Sequence, residues 1–420
     1  MVSPLAKLWH EPRRSALHIW FFRIHGWAGV GVGLYLALMG LSGGLSVFLP
    51  ELRGSLVASI HPQAGSQRLS LQTLQDHILR GDPTLRLRTV YPGHSETQPD
   101  TFVEESADKT LREFVMDPYN GHVLANRKKG DTFYDWVRDL HANLLNKKIG
   151  KAINGFGGIL LGITGISGLV LWWPGRRHLK ASAFQISTRK GWQRASYDLH
   201  RLAGILILIP LLAASITGAG LAFSELTGRA VSTVLGPRTE TLLPRAGKED
   251  VPRNHARNRE RMIHGGTIMT GNQQQAPKDV SLDEVAHVAQ VQIPGATIVR
   301  IQAPNGKIGG FLVSLHLPGD WRDDGDNRVL VDSQSARVAG VQLGNRMTMS
   351  SRVLEGMTGV HYGQYGGMPT RVLALLTGLA LPLLYLSGML IWWKRMVRRD
   401  SNAAMKPTSA GAEIYAASTR

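Results

Sequence analysis

Cysteine is absent from all 420 residues of the chain. Its absence excludes disulfides, thiolate metal sites, iron–sulfur clusters and the covalent Cys-x-x-Cys-His haem anchor. Acidic side chains are scarce, 31 Asp and Glu against 48 Lys and Arg, which leaves a net charge of +17. Charge of that sign suits a nucleic acid or a membrane surface, and its placement along the chain decides between them. There is no phosphate-loop Lys-Ser/Thr after a Gly-rich stretch, no serine in a nucleophile motif and no His-Glu-x-x-His. What the chain does hold is 15 histidines and a sharp contrast between apolar and polar stretches, hidden behind a mean hydropathy of −0.08.

A helix that crosses a hydrocarbon core of about 30 Å needs about twenty mostly apolar residues. Four segments qualify, roughly Ile24–Leu49, Ile153–Trp173, Leu202–Phe223 and Val372–Trp393. The first is longer than a signal-peptide core and lacks a small-residue cleavage site, so it reads as a retained span. Lys7, Arg13, Arg14 and Arg23 precede it, Arg176, Arg177, Lys180, Arg189, Lys190 and Arg194 separate the second and third spans, and Lys394, Arg395, Arg398 and Arg399 follow the fourth. Alternating spans put all of these on one side, which the positive-inside rule makes the cytoplasm, with the Trp172-Trp173 and Trp392-Trp393 pairs at that interface. The partner implied is a lipid bilayer and not nucleic acid. The expected location is a bacterial inner membrane, multi-pass, with both termini cytoplasmic.

The halves repeat. His141 precedes Trp172 by the same interval as His361 precedes Trp392, and Gly158, Ser167, Gly168 and Trp173 fall in register with Gly378, Ser387, Gly388 and Trp393. His25, Ala28, Gly29, Gly43 and Phe48 align in the same way with His200, Ala203, Gly204, Gly218 and Phe223. Identity at two fixed offsets predicts a duplicated helix–domain–helix unit. The expected fold is a membrane α-helical protein, a four-helix transmembrane bundle built from two such repeats, with two small α+β periplasmic domains. In each domain a helix opens on Ser-Leu (Ser70 to Leu79, Ser281 to Val291). Strands follow at Leu85–Tyr91, Leu111–Met116, Thr297–Gln302, Gly310–Leu317 and Val329–Val331, and turns close at Asp117–Gly121 and Asp332–Ser335. The predicted layout is a cytoplasmic tail at 1–23, spans at 24–49, 141–174 (with its lead-in), 197–224 and 351–393 (with its lead-in), and outer domains at 50–140 and 225–350. A cytoplasmic loop occupies 175–196, an irregular insert 236–278 and a cytoplasmic tail 394–420.

An imidazole inside a bilayer is costly and is by default functional. Alternating spans place His25 and His200 at cytoplasmic helix ends and His141 and His361 at periplasmic ends, one pair per leaflet. A b-type haem needs two axial nitrogens on opposite faces of the porphyrin, from different helices, and imidazole supplies them without a covalent anchor. The four histidines are therefore the candidate axial ligands of two haem b groups: His25 with His200 on the cytoplasmic side, His141 with His361 on the periplasmic side. Gly26, Gly29, Gly204, Gly359, Gly363, Gly366 and Gly367 would let a macrocycle approach the backbone. Arg23, Arg201 and Arg371 are candidate partners for the haem propionates, with Lys147 and Lys148 behind them. Quarter-depth placement of each pair separates the irons by about 15–20 Å.

These residues resemble the PepSY-associated transmembrane helix family. The resemblance is carried by Leu140-His141, Val360-His361-Tyr362-Gly363, Leu199-His200-Arg201, the Ser-Gly to Trp-Trp endings of the second and fourth spans, and the turn Asp117-Pro118-Tyr119-Asn120-Gly121. That turn is similar to the Asp-Pro-x-Thr-Gly turn of a PepSY domain; Asp332-Ser333-Gln334-Ser335-Ala336 departs further from it. The family includes inner-membrane reductases of iron–siderophore complexes of the ferrioxamine type. What the resemblance implies is a haem-dependent oxidoreductase that takes electrons from a cytoplasmic or quinone donor to a periplasmic ferric siderophore and releases ferrous iron. Two other classes stand beside it: a non-enzymatic membrane regulator of periplasmic proteolysis, and a metal or siderophore transporter.

Overall fold

The computed structural model describes residues 15–48, 67–173, 185–186, 191–238, 280–305, 308–320, 322 and 325–404, with side chains to 397. The N-terminal tail before 15, most of the loop expected at 175–196, nearly all of the insert expected at 236–278 and the end of the C-terminal tail lie outside them. The chain divides into two compact units, a helical one (1–50, 136–227, 360–420) and a sheet-containing one (51–135, 228–359).

In the helical unit, α1 spans Ala16–Ser46, α4 Lys147–Trp172, α5 Trp192–Leu206, α6 Leu208–Ala222 and α10 Met368–Ala404. Helix α3 (Phe133–Asn143) leads into α4. Among the described residues three helices cross between the units in sequence: α3 itself, α7 (Ser224–Leu235) after α6, and α9 (Met349–His361), which leads into α10. By length and composition α1, α4 and α10 can cross a membrane, and the bent pair α5–α6 makes a fourth span if taken as one. Helix α1 packs on α4 and α10, α4 on α5 and α6, and α10 on α5 and α6. The α1 and α5–α6 segments are thus diagonal to each other across the bundle.

The expected third span is not one straight helix. It bends by 60° between α5 and α6. Pro210 stands in the first turn of α6 and has no N–H for the Leu206 carbonyl, so the hydrogen-bond ladder breaks there. Tyr35 holds the equivalent place in α1, which runs unbroken. Close approach of α1 and α10 depends on glycine: a Cβ on Gly40 would lie 2.7 Å from the Gly378 carbonyl oxygen, and one on Gly378 2.4 Å from that of Gly40. Small residues at such crossings let backbones meet where lipid provides no hydrophobic drive.

The sheet unit corrects the expectation of two separate small domains. Its strands β1 (Arg86–Tyr91), β2 (Asp100–Glu105), β3 (Leu111–Met116), β4 (Val123–Lys128), β5 (Thr297–Gln302), β6 (Gly310–His316), β7 (Asn327–Asp332) and β8 (Val338–Gln342) form one 8-stranded sheet in the order β4-β3-β2-β1-β5-β6-β7-β8. The copies join edge to edge, antiparallel, through Thr89 with Gln302 and Val90 with Ile301. Pairing the two inner edges removes a template for aggregation from each copy. Helices α2 (Leu71–Gly81) and α8 (Leu282–Gln292) contribute to a single core in which Leu74, Val90, Phe102, Val285, Ile301 and Val313 are fully buried. The two helices also cap each other. Asp283 accepts from the Leu71 and Gln72 N–H groups at 2.9 and 3.2 Å, and Gln72 Oε1 accepts from Leu282 N–H at 3.0 Å. Ser70 and Ser281, the residues on which the sequence opens the two helices, prove to be side-chain N-caps.

At one core position a charged residue in one copy replaces an apolar one in the other. Glu104 on β2 is wholly buried where its repeat equivalent, Leu315 on β6, is an ordinary core residue. Neither Glu104 oxygen has a hydrogen-bond partner of ordinary geometry among the described residues. Burial pushes its carboxyl up to about 7 from an ordinary 4.5, opposed by a smaller pull from Gln75. A group whose folded-state value is raised contributes its stability below the unfolded value and loses it as pH rises through the folded one. Thermal unfolding of the purified chain should therefore show Glu104→Leu matching the parent near pH 4.5 and exceeding it by roughly 1–3 kcal/mol above pH 7. A pH-independent difference would contradict this.

Candidate functional site

The four histidines singled out by their spacing meet in two pairs, both within the helical unit. His25 on α1 faces His200 on α5 with ring centroids 6.2 Å apart and planes at 89°. His141, at the end of α3, faces His361, at the end of α9, at 6.0 Å and 31°. The partners are those expected from alternating spans. Among the described residues no three or more His, Asp or Glu side chains gather as a metal-ion site, so the groupings are pairs.

Each ring is held from behind by a neighbouring helix. His25 Nδ1 lies 3.1 Å from the Thr164 carbonyl and 3.0 Å from Ser167 Oγ. His141 Nδ1 lies 3.1 Å from the Met39 carbonyl and 3.4 Å from Ser42 Oγ. His200 Nδ1 lies 2.9 Å from Ser387 Oγ, beside the Leu384 carbonyl, and His361 Nδ1 lies 3.0 Å from Thr217 Oγ1, beside that of Ala214. In all four cases the seat is a carbonyl followed three residues on by a hydroxyl. A glycine comes next: a Cβ on Gly43, Gly218, Gly168 or Gly388 would lie 2.5, 3.0, 3.2 or 3.3 Å from Cε1 of His141, His361, His25 or His200.

The carbonyls settle the tautomer, because a carbonyl can only accept and Nδ1 must donate to it. Ser42 donates to Leu38 O, Ser167 to Thr164 O, Thr217 to Ala213 O and Ser387 to Leu383 O, at 2.8, 2.9, 2.6 and 2.7 Å. A hydroxyl has one proton, so each meets its imidazole with a lone pair. Nδ1 must then carry hydrogen and donate, which leaves Nε2 as the unprotonated nitrogen of each neutral ring. Nε2 is the atom that can bind a metal.

These seats are the functional residues that spacing alone missed. The signal was present: every span has a Ser/Thr-Gly step at its seat, Ser42-Gly43, Ser167-Gly168, Thr217-Gly218 and Ser387-Gly388, although Thr164-Gly165 and Thr377-Gly378 are further such steps. By contrast Gly26 and Gly29, expected beside a cofactor, have nothing within 4 Å of where a Cβ would stand, and Gly204 meets only Leu384 at 3.9 Å.

The expected anion partners have other engagements. Arg201 pairs with buried Asp198 at 3.4 Å, which also binds Arg194 at 3.0 Å. Arg371 donates to the Val47 carbonyl at 2.6 Å and lies over the Phe48 ring, so it caps the end of α1. Arg23, Lys147 and Lys148 are exposed.

A family model for the PepSY-associated TM region matches residues 22–395, which include both pairs, all four seats and the sheet unit. The chain belongs to that family. No curated protein matches it. Family membership and the apolar helices together make this a helical membrane protein. The seats give this PepSY-associated protein a steric requirement that stability can test. Gly43→Ala should lower the stability of the purified chain by about 1–3 kcal/mol, because a Cβ must displace the His141 ring. Gly31→Ala, which meets nothing, should be neutral or stabilising by up to about 1 kcal/mol. Equal effects in thermal unfolding would remove the steric role assigned to Gly43.

Proposed function

We propose that this protein is a di-haem b-type reductase of the inner membrane that passes electrons to a periplasmic ferric siderophore and releases ferrous iron. The observation that carries the reading is the two pairs of neighbouring imidazoles, each with Nδ1 tied to another helix. Two metal–nitrogen bonds of about 2 Å, plus about 1 Å from each nitrogen to its ring centre, span about 6 Å. Both pairs have that separation. A metal held by two protein donors needs its other donors from elsewhere, and a porphyrin brings four nitrogens in one plane. His25 and His200 would hold one haem b, and His141 and His361 the other. Haem b bound there supplies one-electron chemistry between ferric and ferrous iron.

The chain's own contribution is placement. The seats fix the rings, and the bundle sets the distance between pairs. On α1 one pair is served by His25 and the other by Met39 to Gly43, about 21–27 Å apart at 1.5 Å per residue. This is a rise along one helix between the two sets of residues, whereas the roughly 15–20 Å expected from quarter-depth placement is a distance between irons. Extended macrocycles would shorten the gap between their edges.

The siderophore comes from the family resemblance. Its chemistry is coherent, since hard oxygen donors hold ferric iron tightly and the softer ferrous ion weakly. The donor would be a cytoplasmic reductant or a quinol. Arg23, Arg194, Arg201 and Arg395 belong to the end that carries His25 and His200, which supports cytoplasmic termini. Purified protein should show the reduced spectrum of b-type haem, and anaerobic addition of a ferric siderophore should oxidise it while a chelating dye traps ferrous iron. Reduced haem that persists with every ferric chelate would end the reductase reading. Reporter fusions should read periplasmic at Gly130 and cytoplasmic at Trp192; the reverse would invert the direction of electron flow.

A further inference from the structure

We infer that Tyr35 and Asn154 are positioning residues that fix His141, and that they make its site unlike the others. The inference rests on the di-haem reading and concerns residues that do not touch the imidazole. His141 sits two residues before the end of α3, and the chain must turn at once into α4. It does so through Leu144 and Leu145, both left-handed, with φ of 51° and 60°. Non-glycine residues pay about 1–2 kcal/mol each for that conformation, so surrounding contacts must hold it.

Asn154 provides the hold. Its Nδ2 donates to the His141 carbonyl at 2.6 Å, and its Oδ1 accepts from the Tyr35 hydroxyl at 2.8 Å. A carbonyl can only accept, so the amide orientation is determined and the tyrosine hydroxyl must be its donor. Gly157, one turn further along α4, makes room: a Cβ there would lie 2.3 Å from the Tyr35 hydroxyl oxygen. The chain α1–Tyr35–Asn154–His141 thus ties the ligand's own backbone to two spans, while its imidazole is seated on Met39 and Ser42.

The second copy does without this brace. Pro210 and Ala374 replace Tyr35 and Asn154. The turn after His361 uses glycine for its left-handed residues, Gly363 and Gly367 with φ of 69° and 61°. Thr370 fastens that turn by donating to the Gly363 carbonyl and accepting from Gly366 N–H. In the first copy Gly150 stands where Thr370 would be, so the hold moves one helical turn along α4, to Asn154.

The test uses the purified full-length chain and reads haem directly. His141→Ala identifies the spectral and redox signals of the His141–His361 site. Asn154→Leu keeps the volume and removes the donor. It should weaken haem binding at that site by about 10-fold or more and shift its midpoint potential, while the His25–His200 site keeps its spectrum as an internal control of folding. Tyr35→Phe should move the same signals less, and should add nothing in the Asn154→Leu background, because Tyr35 acts only through Asn154. Two unchanged sites in Asn154→Leu would overturn the inference, as would equal damage to both, which marks general packing. Parent protein that binds no haem would instead sink the di-haem reading itself.

Discussion

A backbone carbonyl that can only accept, flanked by a hydroxyl that gives its one proton to its own helix, fixes the tautomer of each paired histidine. Ser42, Ser167, Thr217 and Ser387 all give that proton to a carbonyl of their own helix. What they offer the imidazole is a lone pair, and the ring answers with Nδ1–H. The adjacent carbonyl at Met39, Thr164, Ala214 or Leu384 can accept only the same proton. Two acceptors on one side leave a single tautomer and a single unprotonated nitrogen. The glycine after each hydroxyl lets the ring approach closely enough for these bonds to form. If the pairs hold a metal as proposed, each Ser/Thr-Gly step would do the orienting work that a metal site elsewhere assigns to an aspartate.

Each pair joins equivalent residues of two copies, so each lies where the halves meet. That is the geometry of an isologous contact, in which a patch meets its own counterpart. One helix–domain–helix unit holds two half-sites and no whole site. The sheet unit follows the same logic on its own terms: the inner edges β1 and β5 pair with each other, and α2 and α8 cap each other through Asp283 and Gln72. Neither copy's core closes without its partner, which explains why the two expected domains form one sheet.

What was legible in the sequence is what repetition amplifies. The four histidines, the spans and both Ser-capped helices follow from periodicity and fixed offsets, and β3 and β5 have the predicted ends. Strand β2 went unseen because Asp100, Glu104 and Glu105 give it the look of a loop, yet all three are buried, and Asp100 accepts from Arg68 at 3.0 Å and from Gly93 N–H at 2.7 Å. Strands β4 and β8 lie at the sheet edges, where one side faces no neighbour and an apolar pattern is not required. The seats were in view as repeated Ser-Gly steps, but linking Ser167 to His25 requires knowing which helices are adjacent, and that information is long-range. The bend at Pro210 needed no such knowledge; an apolar window simply averages over a proline.

The symmetry has a consequence for how two such sites could differ. Both have two neutral imidazoles, both use the same seat, and both rings stand about equally far apart. On the di-haem reading, identical ligands in identical seats would give no gradient to move an electron one way, and direction would have to come from what the copies do not share. The plane angle is one such term, 89° at one site and 31° at the other. Charge is another, since Asp198, held by Arg194 and Arg201, stands two residues from His200 while its repeat equivalent beside His25 is Arg23. The brace on His141 is a third, because an anchored backbone would resist small ligand shifts if an iron bound there changed charge. Duplication supplies two sites, and these departures from it are what can set them at different potentials.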